Sequence, residues 1–316
     1  MKIRRAVMTG MIAVVFAAAI PGVSAPLPKA PLPNTTVVPI QLVITVRSAL
    51  GSSLPGSLVK GDVTVQQGNT PAAVVGLQRL VGGLADMQLF VLLDDSTRSS
   101  SLGTQIPELK TFLASLPATT QIAVGYMQNG TFALAQAFTA DHQKAVGALR
   151  LPEALPGENG SPYFALSDLA KHWPSKQSTG RRVVLMLTDG VDRYYGTADM
   201  DDPYVDAAIH DTLKEGVMVY SIYLRGAGHY GRSDWETTIA QSRLIDVSEE
   251  TGGFAYFLGF TDPVTISPFL NDFQDRLANQ YQVTIAALNK KGVQPVKLRT
   301  EAHGLKVQSP THIYVP

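Results

Sequence analysis

Residues 89–99 read Leu-Phe-Val-Leu-Leu-Asp-Asp-Ser-Thr-Arg-Ser, and they constrain the fold more than any other stretch. Five apolar residues run without a break into two carboxylates and then into hydroxyls. A run of this kind suits a strand covered on both faces, as in a parallel sheet. Open α/β sheets place their ligand sites at the carboxyl ends of the strands, which is where Asp94 and Asp95 fall. A second stretch has the same grammar: Arg182-Val183-Val184-Leu185-Met186-Leu187 leads into Thr188-Asp189-Gly190. If both are strands of one sheet, their ends meet in one crevice and Asp94 faces Asp189.

The texture around these stretches supports a central α/β domain. From Met87 onward, strand-like runs alternate with helix-like ones. Leu102, Ile106, Leu109, Leu113 and Leu116 fall at helical spacing, and Pro117 stops that helix. Strands fit at 121–127 and 131–138, joined at Asn129-Gly130, a hairpin signal. Asp141 suits an N-cap, Gly157 to Pro162 a loop, and Tyr163 to His172 a helix. Pro203 opens a further helix, Val217 to Leu224 is a strand, and a helix ends at Thr251-Gly252-Gly253. A short strand, Phe254 to Leu258, leads to a last helix with Ser267 as its cap and Phe269, Phe273 and Leu277 inward. Period-two strands flank this centre, with Ile40, Leu42, Ile44 and Val46 before it and Tyr281, Val283, Ile285 and Ala287 after it. The expected fold is therefore α/β: a doubly wound, mostly parallel sheet flanked by helices at 83–280. A small β subdomain would be built from both ends, 37–82 and 281–316.

The first 25 residues read as an export leader. Lys2, Arg4 and Arg5 form a positive head, Met11 to Ile20 an apolar core, and Val23-Ser24-Ala25 a small-residue end. Residues 26–36 (PLPKAPLPNTT) form a proline-rich linker. The expected location is periplasmic or extracellular, and no later stretch is apolar for long enough to span a bilayer. The chain has no cysteine, so an exported form is held by its core without disulfides. Zero net charge and a charged fraction of 16% argue against nucleic acid, which selects a basic face.

Two carboxylates with neighbouring hydroxyls make a hard-oxygen site suited to Mg²⁺ or another divalent cation. The plain alternative is that each aspartate caps the helix after it. Capping accounts for each acid separately but not for the repeated pattern. With these residues the chain resembles a von Willebrand factor type A (VWA) domain, in particular the VWFA-related proteins of acidobacterial type. The likeness covers about 87–280. That family carries a metal-ion-dependent adhesion site. Its first motif is D-x-S-x-S, its second element a threonine from a later loop, and its third an aspartate at a T-D-G strand end. Asp94-Asp95-Ser96 matches the first two ligands and Thr188-Asp189-Gly190 the last. Asn159-Gly160-Ser161 stands where the threonine loop belongs, with Ser161 supplying the hydroxyl. The resemblance thus implies Asp94, Ser96, Ser161 and Asp189 as metal ligands.

The motif's second serine is replaced by Arg98, a cation with no lone pair to donate. Two readings stay open. Arg98 swings outward and Ser99 or water fills the gap, or Arg98 folds in and its guanidinium neutralises Asp94 and Asp189 in place of the metal. In the second case it would still grip a partner carboxylate in a bidentate fork. Aromatic residues cluster in loops at this end: Tyr163, Tyr194, Tyr195, and His229 with Tyr230. Tyrosine is enriched at binding hot spots, so Arg98, Ser99, Tyr163, Tyr194, Tyr195 and Tyr230 are the candidate partner contacts. Asp199, Asp201 and Asp202 read as a solvated loop.

Gly226-Ala227-Gly228-His229-Tyr230-Gly231 matches G-x-G-x-x-G, but the next strand ends in Gly259-Phe260-Thr261 rather than the acid a dinucleotide site requires. A receiver-like phosphoacceptor would require a lysine after Val217 to Leu224, and there is none. The six histidines are scattered at 142, 172, 210, 229, 303 and 312. The reading is a non-enzymatic protein-binding or adhesion module whose degenerate metal site recognises an acidic side chain of a protein partner. The alternative is a Mg²⁺-dependent hydrolase or phosphotransfer enzyme using the same carboxylates, for which no nucleophile with a positioned base is visible.

Overall fold

The computed structural model describes residues 36–49, 57–155, 160–177, 180–196, 200–225 and 233–316. The leader, nearly all of the linker, Asn159, Asp199, and the Gly226–Gly231 segment with His229 and Tyr230 lie outside the described residues. In chain order the elements are β1 (Val37–Ser48), β2 (Val63–Gln67), β3 (Thr70–Arg79), β4 (Met87–Asp94), α1 (Ser99–Ser115), β5 (Thr120–Gln128) and β6 (Thr131–Thr139). Then come α2 (His142–Gly147), α3 (Pro162–Lys171), β7 (Arg181–Thr188), α4 (Pro203–Lys214), β8 (Val217–Tyr223), α5 (Asp234–Glu250) and β9 (Ala255–Tyr256). The chain closes with α6 (Ser267–Ala278), β10 (Gln280–Leu288), β11 (Gly292–Thr300), β12 (Leu305–Gln308) and β13 (His312–Val315).

The strands form two sheets. One has the order β6-β5-β4-β7-β8-β9 and is parallel apart from β6, which returns antiparallel on β5. β4 lies at its centre, and all eight of its residues are buried. Its alternate side chains serve two cores. Leu89, Val91 and Leu93 meet α1, α2 and α6 on one face. Phe90 and Leu92 meet α3, α4 and α5 on the other. Each fully buried large apolar side chain contributes about 1.5–3 kcal/mol, so a strand buried on both faces has to be a continuous apolar run. That requirement is what made β4 and β7 readable.

The second sheet is antiparallel, in the order β12-β1-β10-β3-β2-β11-β13, and so draws on both ends of the described chain. It meets the first near the amino ends of β4 and β7. There Arg181 donates to the carbonyls of Ala85 and Leu277 and to Gln280 Oε1, at 2.8, 2.9 and 2.5 Å. The carboxyl ends of β4 and β7 point the other way.

Local details differ from the sequence expectation in two places. The strand expected over Phe254 to Leu258 pairs only at Ala255–Tyr256, while Leu258 bridges to Thr261 in a turn. Ser267 does not cap α6. Ile266 holds the N-cap position, because the Ser267 N–H and hydroxyl are both taken by Glu108 of α1 at 2.7 and 2.6 Å. Among the described residues no helix is long and apolar enough to cross a membrane.

Candidate functional site

β4 and β7 are parallel neighbours in a register that sets Leu93 opposite Leu187. The next residues out are Asp94 and Thr188, and the Thr188 hydroxyl donates to Asp94 Oδ2 at 2.9 Å. The Gly190 N–H in turn donates to Thr188 Oγ1 at 3.2 Å. Ser96 folds back on the other carboxylate oxygen, its N–H and its hydroxyl both donating to Asp94 Oδ1 at 3.0 and 2.8 Å. Asp189 follows directly, and it is close enough to act on Asp94 electrostatically. Burial, then the Asp189 charge, raises the Asp94 carboxyl above the ordinary carboxylate range, and Arg193 and the Ser96 donors only partly offset this.

Arg193 was not a candidate in the sequence. Its guanidinium donates to Asp189 Oδ2 at 2.6 Å, with the Arg193 and Asp189 side chains only 8% and 3% exposed. The Val191 N–H donates to Asp189 Oδ1 at 3.0 Å. The turn that folds Arg193 back needs Gly190. Its φ is +68°, and a Cβ there would sit 2.8 Å from Leu244 Cγ and 2.9 Å from the Ala240 carbonyl. Only glycine takes this conformation without strain and also leaves α5 that close.

Ser161 goes elsewhere. It is fully buried at the N-cap of α3, its oxygen accepting from the N–H groups of Tyr163 and Phe164. Its hydroxyl donates to Asp192 Oδ2 at 2.6 Å. Asp192 Oδ1 accepts from the N–H groups of Tyr194 and Tyr195 at 2.8 and 2.9 Å, which shapes the loop that carries both rings. Gly160 supplies the flat backbone for this arrangement, since a Cβ there would run into the Tyr194 ring.

A divalent cation does not fit these residues as they stand. All four carboxylate oxygens of Asp94 and Asp189 accept protein hydrogen bonds. The Ser161 hydroxyl is bonded to Asp192, and a guanidinium already sits on Asp189. So the structure gathers Asp94, Ser96 and Asp189, adds Thr188 and Arg193, and leaves Ser161 with a different aspartate.

The partner-contact residues also divide. Arg98 precedes the first turn of α1 in extended conformation and is half-buried. Its guanidinium makes no hydrogen bond or ion pair among the described residues, and the cation over the acids is Arg193. Of the two readings of Arg98, the one in which it folds in to neutralise the acids does not match this arrangement. Ser99 is exposed, and Tyr194 and Tyr195 are 63% and 38% exposed. Tyr163 is not a rim residue. It is fully buried against the turn, its hydroxyl donating to the Gly190 carbonyl at 2.8 Å, and burial pushes that phenol well above its ordinary value. Asp202, expected in a solvated loop, is buried. It caps α4 through the Tyr204 N–H and pairs at 3.2 Å with Arg243, which is itself 1% exposed.

Asp95 makes a further ion pair. Arg150 grips it in a fork, at 2.6 Å to Oδ1 and 3.1 Å to Oδ2. Gln128 and the Glu153 N–H donate to it as well, at 2.7 and 3.0 Å. Burial pulls this carboxyl upward, but these donors outweigh it and hold the group below its ordinary value.

No family model matches the chain, and no curated protein matches it significantly. Among solved structures it is similar to BatB from Bacteroides thetaiotaomicron, described as a conserved hypothetical protein. The identity is 13% and the TM-score 0.42, over 60% of this chain and 96% of that one. It is similar to the vWF domain of the type V pili tip protein Mfa5 from Porphyromonas gingivalis, at 10% identity and TM-score 0.42, over 61% and 94% of the two chains. It is also similar to the pilus adhesin SpaC from Lactobacillus rhamnosus GG in its open conformation. Here the values are 12% and 0.46, over 80% of this chain and 41% of that one. The sheet order, the helices on both faces and the acids at the ends of adjacent central strands define a VWA-like α/β fold.

Proposed function

We propose that this chain is a non-enzymatic protein-binding module that recognises an acidic side chain of a partner protein at the carboxyl ends of β4 and β7. One observation carries the reading. A buried, hydrogen-bonded acid pair ends β4 and β7, and in the segments that follow these strands the Arg98 guanidinium has no bonding partner among the described residues while Ser99, Tyr194 and Tyr195 are exposed. A guanidinium of this kind is the natural fork for a carboxylate. Tyrosines on rigid loops supply contact area at low entropic cost, and the Asp192 hydrogen bonds fix this loop. We place the protein outside the cytoplasm, in the envelope or beyond it, because of the charged head and apolar core of residues 2–20.

The test starts from peptides selected on the immobilised full chain from a displayed library. Each selected peptide is then resynthesised with its aspartates as asparagines. Acidic residues are expected in the selected peptides. Loss of the carboxylate should weaken binding about tenfold or more, as a charge-assisted hydrogen bond of about 1.5–3 kcal/mol requires. Arg98→Ala should bind the aspartate and asparagine forms alike. Peptides selected without acids, or equal affinity of the two forms for the wild-type chain, would refute the reading.

A further inference from the structure

We infer that the site carries its own cation, the guanidinium of Arg193, in the role a divalent metal would otherwise fill, and that it works without metal. The inference deepens the function proposed above and rests on it only for the location of the site.

Two carboxylates buried at adjacent strand ends require a counter-charge. Arg193 supplies one from within the same loop, four residues beyond Asp189, in a contact of 2.6 Å that is nearly sealed from solvent. Its position is fixed at three points. The Arg193 N–H donates to the Gly160 carbonyl at 2.8 Å, and its guanidinium reaches the Val191 carbonyl at 3.3 Å as well as Asp189. The remaining groups are arranged to match. Thr188 and Ser96 turn their hydroxyl hydrogens toward Asp94, so their donors complete the acid pair. Ser161 turns its hydrogen toward Asp192 and its lone pairs toward the α3 N–H groups, leaving none directed at Asp94 or Asp189. Arg98 stands where a further hydroxyl would be needed, and it donates no lone pair. Ser161 and Arg98 each remove a hydroxyl ligand, and the remaining hydrogen bonds close around a fixed positive charge. A guanidinium is always protonated, so the charge at this site is independent of metal supply.

The test is a Mn²⁺ titration of the full chain followed by electron paramagnetic resonance. Melting temperature is measured alongside in Mg²⁺, Mn²⁺, Ca²⁺ or EDTA. The wild-type chain is expected to leave the free-ion signal undiminished and to melt at one temperature in all four. Arg193→Ser is expected to melt lower in EDTA and to gain a metal-dependent rise in melting temperature. If that variant fails to fold, Arg193→Gln keeps a hydrogen bond to Asp189 without the charge and replaces it. Stoichiometric loss of the free-ion signal on the wild-type chain would overturn the inference. So would an Arg193→Ser variant that melts as high as the wild-type chain in EDTA, because the guanidinium would then not be the counter-charge of the acid pair. Peptide binding in EDTA separates the two levels of the account. Binding that EDTA abolishes sinks the built-in cation and leaves carboxylate recognition standing. A complete lack of peptide binding sinks recognition and leaves the Mn²⁺ result to decide this inference.

Discussion

Arg150→Met isolates the buried pair that ties β4 to the segment after α2. The Asp95 side chain is 1% exposed and that of Arg150 31%. Methionine keeps much of the apolar stem that lies over the Tyr126 ring, where the guanidinium carbon is 3.9 Å from the ring centroid. What is lost is the fork, and Asp95 is left with two neutral donors. Breaking a fully buried pair costs about 3–5 kcal/mol. With Arg150 nearly a third exposed, solvent screening lowers the expected cost to about 2–3 kcal/mol. Melting should fall by roughly 2–4 °C per kcal/mol, or about 5–10 °C. Asp95→Asn removes the stranded charge, so Arg150→Met/Asp95→Asn should lose less than the sum of the single variants, with a coupling of about 1 kcal/mol or more. The pH dependence follows from a folded carboxyl held below its ordinary value of 3.8. Its contribution is complete above that value and is lost as pH falls through the lower folded one. The wild-type advantage over Arg150→Met should therefore shrink in acid. Urea unfolding at neutral pH and below pH 3.8 measures both effects. A single variant within about 0.5 kcal/mol of wild type at neutral pH would refute the reasoning.

Asp94 runs the opposite way. Its folded carboxyl is raised by burial and by Asp189, so keeping it ionised weighs against folding above that raised value, and the deficit disappears as pH falls toward 3.8. Asp94→Asn should raise the neutral-pH melting temperature, with the gain vanishing in acid, as read by calorimetry at two pH values. Gly190→Ala meets both a positive φ and the contacts at Leu244 and Ala240. It should cost about 2 kcal/mol or more in urea unfolding, whereas a strain-free site would show a gain. Tyr194→Ala removes an exposed ring that leans on Phe164 at 5.1 Å. It should weaken selected peptides while changing stability by no more than about 1 kcal/mol.

The strand pair and its acids were legible in the sequence because burial on both faces forces an unbroken apolar run, and the run stops where the chain leaves the sheet. The Asn129-Gly130 hairpin was legible because both residues take positive φ, 50° and 73°, which few other pairs allow. The inward stripe of α1 followed from helical spacing, and all five of its expected residues are buried. The electrostatics were less legible. Arg98 stood at the motif's vacant position and drew attention there, yet the chain bends so that Arg193 reaches the acids. A signal was present in Asp189-Gly190-Val191-Asp192-Arg193, an acid followed four residues later by an arginine across a glycine turn. Arg150 lies far from Asp95 in sequence, and nothing local pairs them. Tyr163 was misplaced because residue type gives no direction. Its hydroxyl suits a buried carbonyl as well as it suits a partner.

The account depends on Asp94 and Arg193, which lie on different strand ends, acting within one site. A double-mutant cycle of Asp94→Asn and Arg193→Gln in urea unfolding measures this directly. Arg193→Gln alone leaves two buried carboxylates without their cation, whereas in the Asp94→Asn background it leaves one. The predicted result is that Arg193→Gln costs at least about 1 kcal/mol less in the Asp94→Asn background than in the wild-type chain. Additivity to within about 0.3–0.5 kcal/mol would mean that the two residues do not share a site, and would contradict the account.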